Sequence, residues 1–417
     1  MNPTSKDGRS DGKMKKFIKI IKFCALSVLT GVLVGAVGAC FARLLTFVTD
    51  VRHGSPWLVL LLPFGAIVTT ILYKVSKMQD HGGTNEILGC IEEKKPVRTM
   101  AAPLIFVCSA ISHLLGASTG REGAALQLGG AGAEAVCNVL KLKDEERNIA
   151  LISGMGAVFA GLFATPLTAA FFVLEFKAKP KKIALNFLPC LISAIIAAKV
   201  SALLGVHPEV IPLTTVDPLS VLTILKIVVL AVGISLLGYV LCFAFHNSHK
   251  WATKLVKNAF VRSILFAVVI VILTAIVGDM RYNGSGVELI FAAAEGKVFW
   301  YDFLLKLVFT SITIMAGLKG GEIVPTFCIG ATFGCVVGGL LGLDVGLCTA
   351  LGLVGLFCCA ANSPVAGVFL GVEMFGVAAL PYYVIICLLL WPLSTKHGLF
   401  INRLFKPINF KKLIKSN

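Results

Sequence analysis

Charge is what this chain lacks most. Only 14% of its 417 residues are Asp, Glu, Lys or Arg, against 57% hydrophobic residues and a mean hydropathy of +0.89. A soluble domain needs roughly a quarter of its residues charged, so a soluble globular fold is excluded. Strict alternation of apolar and polar residues over repeated segments of about ten is missing too, which excludes an outer-membrane barrel. The 13 cysteines include no C-x-x-C pair and no histidine partner placed for a metal site, so they read as small buried apolar residues. No Ser/His/Asp or Cys/His constellation rises above background, so neither enzyme chemistry nor a cofactor is expected.

What is present in abundance is apolar run length. Runs at 23–48, 57–75, 183–204, 221–245, 263–277 and 383–393 can cross or enter a bilayer. Several are short or broken by Gly and Pro, which predicts an all-α integral membrane protein with broken and tilted helices. The net charge of +16 is concentrated at the ends: Lys13, Lys15, Lys16, Lys19 and Lys22 precede the first span, and Arg403, Lys406, Lys411, Lys412 and Lys415 follow the last. With a further cluster at Lys177, Lys179, Lys181 and Lys182, the positive-inside rule predicts a multi-pass protein of the cell membrane with both termini cytoplasmic. These lysines flank spans and are not interleaved with stacking aromatics, so no nucleic-acid partner is expected. The first apolar run is too long for a signal peptide and reads as a membrane helix.

The polar exceptions repeat. Gly120-Arg-Glu122 opens one Gly-rich apolar stretch and Gly320-Gly-Glu322 another; Thr165-Pro166 is followed nine residues on by Glu175, and Ser363-Pro364 nine residues on by Glu373. The first pair of glutamates is 200 residues apart and the second 198, with Phe171 and Phe369 in the same register. Matched order, spacing and chemistry predict a duplicated unit. The expected division is a basic cytoplasmic N-terminus 1–16, a first membrane repeat 17–206, a linker 207–219, a second repeat 220–402 and a basic tail 403–417. Transporters built this way carry their substrate site at the interface of the repeats.

An anion inside a membrane needs donors, and broken helices supply them as unpaired N–H groups at a partly positive end. Gly83-Thr84-Asn85, Gly120-Arg121-Glu122-Gly123 and Gly320-Gly321-Glu322 all read as helix starts that a small ion could approach closely. The rival reading is that the glycines only permit tight helix packing. Glu122 is the sharpest residue. A carboxylate in the membrane is costly and usually functional: deprotonated it competes with the anion for donors, protonated it withdraws. Its rival reading is a surface Arg121–Glu122 pair. Glu175 and Glu373 read as helix-end carboxylates that cap or pair, with Glu175 near Lys177. His113 reads as a satisfied core histidine, and the charge run at 144–147 as a solvated loop.

These motifs resemble the CLC chloride channels and anion/proton antiporters. The resemblance is carried by Gly120-Arg-Glu-Gly123, Gly320-Gly-Glu-Ile-Val-Pro325, Ala164-Thr-Pro166 through Glu175 and Asn362-Ser-Pro364 through Glu373, and it runs over nearly the whole chain. It implies a CLC-type fold of two inverted-topology repeats, a homodimer in the lipid bilayer, and anions and protons as the transported partners. Within the family the chain looks like the fluoride/proton antiporter branch. The serine motif of chloride members is replaced by Gly83-Thr84-Asn85-Glu86-Ile87, and the internal proton glutamate by Phe176. By that resemblance Glu122 gates and transfers the proton, and Glu322 is a possible second proton group. Anion contacts are then implied for Gly83, Thr84, Asn85, Gly120, Arg121, Gly123, Gly320, Gly321, Ile323 and Phe400, the last standing where a tyrosine is usual. The alternative within the same fold is a chloride or general halide antiporter or channel. Fluoride holds its water tightly and needs strong donors to replace it, and an Asn amide offers two where a Ser hydroxyl offers one.

Overall fold

Apolar stretches in a bilayer have no water to satisfy their backbone, and this chain closes its own hydrogen-bond ladders as helices. The computed structural model describes residues 7–176, 183–207, 209–213, 215–394 and 398–400. The clusters Lys177, Lys179, Lys181, Lys182 and Arg403, Lys406, Lys411, Lys412, Lys415 lie outside the described residues. The first half holds α1 (Asp7–Gly54), α2 (Leu62–Val75), α3 (Thr84–Glu93), α4 (Ala101–Leu114), α5 (Glu122–Val139), α6 (Asp144–Phe163), α7 (Pro166–Glu175) and α8 (Ile183–Leu203). The second holds α9 (Val221–Leu255), α10 (Ala259–Val277), α11 (Val287–Ala294), α12 (Asp302–Ala316), α13 (Ile323–Leu340), α14 (Val345–Ala361), α15 (Pro364–Phe375) and α16 (Leu380–Leu393). Among the described residues six helices are long and apolar enough to cross a membrane, while α4, α7, α14 and α15 are apolar but shorter. The fold is therefore all-helical and membrane-integral, with spans broken by short helices.

The matched motifs have one backbone explanation. Ala164 ends α6 in the left-handed region (φ 55°) and Asn362 ends α14 there (φ 56°). The next residues are alike as well, Thr165 at φ −113°, ψ 72° and Ser363 at φ −124°, ψ 75°, and a proline then starts α7 and α15 at a position where its missing N–H costs nothing. The two short helices lie together, with Phe171 stacked on Phe369 at 4.7 Å and 3°.

Their glutamates cap across the halves. Glu175 accepts from Val365 N (2.9 Å) and Ala366 N (3.2 Å) at the start of α15. Glu373 accepts from Leu167 N (2.9 Å), Thr168 N (2.9 Å) and Thr168 Oγ1 (2.6 Å) at the start of α7. Capping is thus reciprocal, and the expected neighbour of Glu175, Lys177, lies outside the described residues. Glu373→Ala leaves two helix-start N–H groups and a hydroxyl without their acceptor, at a cost of about 2 kcal/mol. We expect a lower melting temperature in detergent for that variant, with Glu373→Gln recovering part of it. Equal melting of all three proteins would show that water replaces the cap without loss.

Residues 144–147 form the first turn of α6, not a solvated loop. Lys22 Nζ pairs with Glu146 (2.7 Å) and Lys19 with Glu145, because acids are favoured at a helix start and basic residues of α1 stand opposite, while Arg147 pairs with Glu134 of α5 (2.8 Å). His113 is buried, its Nδ1 2.8 Å from Ser109 O.

Candidate anion and proton site

Two chain breaks, one in each half, meet at the centre. Gly120 and Gly321 form an isolated antiparallel bridge, each N–H donating to the other's carbonyl at 2.6 Å. Thr119 Oγ1 adds a bond to Gly321 O (3.1 Å), and Thr119 N donates to Gly284 O (3.1 Å). Only glycine fits this crossing. A Cβ on Gly321 would lie 2.5 Å from Gly123 N, and one on Gly320 would lie 2.0 Å from Thr119 Oγ1.

The crossing brings together the first turns of α5 and α13, each with unpaired N–H groups and a partial positive charge. α3 joins from a third side: Thr84 Oγ1 donates to Gly123 O (3.1 Å), and Gly83, in the left-handed region at φ 65°, faces the amide of Gln127. Gly123 is therefore the common neighbour of all three helix starts. The Gly-rich tails do something different. Gly129 packs on Gly154, and Gly330 and Gly334 pack on Gly352, where a Cβ would meet backbone at 2.1–2.4 Å. Tight packing explains those glycines and not the ones at the helix starts.

Glu122 sits in this junction fully buried, its side chain 0% exposed. Its Oε2 accepts from Arg121 N (3.1 Å), so the carboxylate folds back onto a helix-start donor that an anion would otherwise use. Oε1 is 3.5 Å from Arg121 Nε, and neither atom has a hydrogen-bond partner among the described residues. The reading of Arg121–Glu122 as a surface pair is thereby corrected: apolar packing around α5 removes the carboxylate from solvent. Arg121 itself stacks over the Phe163 ring (5.3 Å) and pairs with Glu209.

Other expected site residues fall as follows. Asn85 Nδ2 donates to Leu399 O (3.2 Å), and Leu399 N donates to Ala360 O (3.0 Å), tying the start of α3 to the segment after α16. Phe400 is buried edge-on against Phe172 (5.8 Å) and Phe176 (4.9 Å), a hydrophobic seat with no hydroxyl. Ile323 is buried as the first residue of α13. Glu322 is half-buried and is the N-cap residue of α13, its carbonyl accepting from Thr326 N (3.1 Å) and Thr326 Oγ1 (2.8 Å). In helix register Glu322 therefore matches Arg121, and Ile323 matches Glu122, a spacing of 201 that the Gly120–Gly321 bridge shares. The 200-residue match of the two glutamates is off by one, because helix boundaries and not residue type set the equivalence. Gln127, Glu209 and Thr119 were not legible as site neighbours; nothing in a linear pattern brings a linker carboxylate to a helix start 88 residues away.

Residues 64–390 match the family described as voltage gated chloride channel. A protein of Pseudomonas syringae pv. tomato named chloride/fluoride channel protein is 31% identical over 405 residues, covering 93% of this chain and 90% of that one. The H(+)/Cl(-) exchange transporter ClcA of Vibrio vulnificus is 25% identical, covering 88% of this chain and 84% of its own length. Among solved structures, a CLC-type fluoride/proton antiporter superposes with a TM-score of 0.88 at 32% identity, over 94% of this chain and 99% of that one. A slow cyanobacterial Cl-/H+ antiporter superposes at 0.77 with 18% identity, over 95% and 98%, a likeness of fold alone.

Proposed function

The chain belongs to the voltage-gated chloride channel family, and we propose that within it the protein is a fluoride/proton antiporter, exporting cytoplasmic fluoride driven by proton influx. One observation carries the reading. A wholly buried carboxylate, Glu122, accepts from the helix-start N–H of Arg121 at the meeting of two chain breaks, with its other oxygen unpartnered. Ionised, it holds that donor; protonated, it yields it to an anion, so one group links the two fluxes. The likeness to the fluoride/proton antiporter structure and to the chloride/fluoride channel protein supports fluoride as the substrate. The anion contacts in this reading come from the starts of α3, α5 and α13, namely Gly83, Thr84, Asn85, Gly120, Arg121, Gly123, Gly320, Gly321 and Ile323, with Phe400 below. Glu322 is the second proton group. The working unit is a homodimer in the cell membrane with both termini cytoplasmic.

A second reading, chloride or general halide transport, is favoured by one specific observation. The Thr84 hydroxyl is committed to Gly123 O, and Asn85 spends a donor on Leu399 O. Fluoride needs those donors more than chloride does. Efflux of each halide from proteoliposomes, with external pH recorded, separates the two. Fluoride release with proton uptake and slow chloride is expected; chloride release equal to or faster than fluoride would move the protein to the second reading. In the same assay Asn85→Ala is expected to lower fluoride flux about 10-fold, one to two hydrogen bonds' worth, with a smaller change for chloride. A parallel loss for both ions would reduce Asn85 to a tether for Leu399.

A further inference from the structure

Glu209 lies on the segment joining the two halves, and the anion site does not use it. Backbone bonds from Ile211 N to Met374 O (2.8 Å) and from Leu213 N to Phe375 O (3.1 Å) fasten this segment to the end of α15. Its membrane face is opposite the basic N-terminus. Arg43, toward the far end of α1, donates to Leu204 O (3.2 Å), whereas Lys22, near its start, pairs with Glu146. With a cytoplasmic N-terminus, Glu209 is therefore on the external side.

From there a line of charged groups leads inward. Glu209 pairs with Arg121 at Nη2, and the same guanidinium reaches Glu122, with Nε 3.5 Å from Oε1. Side-chain exposure falls along that line from 22% to 12% to 0%. Beneath Glu209 is a small apolar cavity of about 10 Å³, bounded by Phe163, Ile290, Val324 and Phe327. Glu209 is the only titratable group among its described lining residues. Of its neighbours, Glu288 on α11 turns to His53 (3.4 Å), and exposed His207 stands two residues earlier in the same segment. Arg121 is the one charged partner that Glu209 has among the described residues. At the inner end, Glu122 Oε1 and Arg121 Nε are buried without hydrogen-bond partners among the described residues.

We infer that Glu209 is the outer proton acceptor that serves Glu122. A hydronium ion of the external solution protonates the Glu209 carboxylate and leaves as water; the proton then passes by way of water to Glu122 Oε1, and the Glu209 carboxylate re-forms. Only O–H bonds form and break. Arg121 stays charged throughout and holds whichever carboxylate is ionised, so the neutral one is free to turn. The inference rests on Glu122 being the group that carries the proton.

The test is halide-driven proton uptake in proteoliposomes, run with fluoride and with chloride so that the pH profile is read whichever ion moves faster. Wild type is compared with Glu209→Gln, Glu209→Asp, Glu122→Gln and the double variant Glu122→Gln/Glu209→Gln. Glu209→Gln is expected to slow proton uptake about 10-fold and flatten its dependence on external pH, less than the loss of a direct acid because water remains as a slower route. Glu209→Asp recovers at least half of that loss. In the Glu122→Gln background the added Glu209→Gln leaves anion flux where the single variant had it, because an outer relay has nothing left to serve. Wild-type proton uptake and pH profile in Glu209→Gln would overturn the inference. So would an equal slowing of anion flux with and without Glu122, since that is the mark of a residue that merely holds Arg121 in place. Full coupling in Glu122→Gln would bring down the Glu122 reading and this inference together, whereas lost coupling there with an unaffected Glu209→Gln overturns this inference alone.

Discussion

Glu122→Gln is expected to abolish proton uptake during anion efflux, by at least about 100-fold, while the anion flux itself continues. Gln keeps the shape of the side chain, and its oxygen can still accept from Arg121 N as Glu122 Oε2 does (3.1 Å). What it loses is the ability to take up a proton and to bear a charge at the helix starts. The sign of the pH dependence follows. In the proposed role, Glu122 becomes neutral as pH falls and releases Arg121 N at the start of α5, so wild-type flux is expected to rise with acidity. The Gln variant is permanently neutral, and its flux no longer follows pH. Fluoride and proton fluxes recorded together at several pH values check both statements. A variant that still takes up protons in proportion to fluoride would remove Glu122 from its role, and the unpartnered Oε1 would then need another explanation.

Much of the fold is legible in the chain because membrane burial leaves few polar residues, and each must have a reason. Thr165-Pro166 and Ser363-Pro364 announce helix breaks through proline chemistry that works without tertiary context, and their dihedrals agree within about ten degrees. Glycine is different. The same residue at 120 and 129 serves two purposes, a crossing with Gly321 and a seat for Gly154, and only the three-dimensional partner tells them apart. Glu175 and Glu373 read correctly as caps, yet each caps a helix in the other half, a contact across about 190–206 residues that no local rule supplies. The one-residue error at Glu322 has a similar source. Gly-Arg-Glu and Gly-Gly-Glu look aligned as letters, but α13 begins one residue after its glutamate and α5 begins on its own. Arg121 is the hardest case. Its pairing with Glu209 depends on where the linker returns along α15, which is fixed by backbone bonds at Ile211 and Leu213.

Gly321→Ala tests the crossing itself, and we expect it to eliminate transport, by more than about 100-fold, through loss of the site's geometry. Its Cβ would stand 2.5 Å from Gly123 N and 3.0 Å from Glu122 N, both backbone atoms of the turn that positions the carboxylate. A flexible side chain could swing away from such a contact, but a helix start cannot without shifting its whole first turn. The bridge to Gly120 prevents the two segments from separating cheaply, since each N–H that lets go is buried and loses its acceptor. The cost is several kcal/mol whether the protein responds by opening the crossing or by unfolding. Gly339→Ala supplies the comparison on the same helix. Nothing lies within 4 Å of its Cβ, and alanine is the better helix former, so flux and thermal stability should match or slightly exceed wild type. Size-exclusion profiles and melting curves in detergent tell the two routes apart in Gly321→Ala: a folded but inactive protein locates the damage at the meeting of α5 and α13. Near-normal flux in that variant would mean that the two helix starts need not touch for an anion to be held between them.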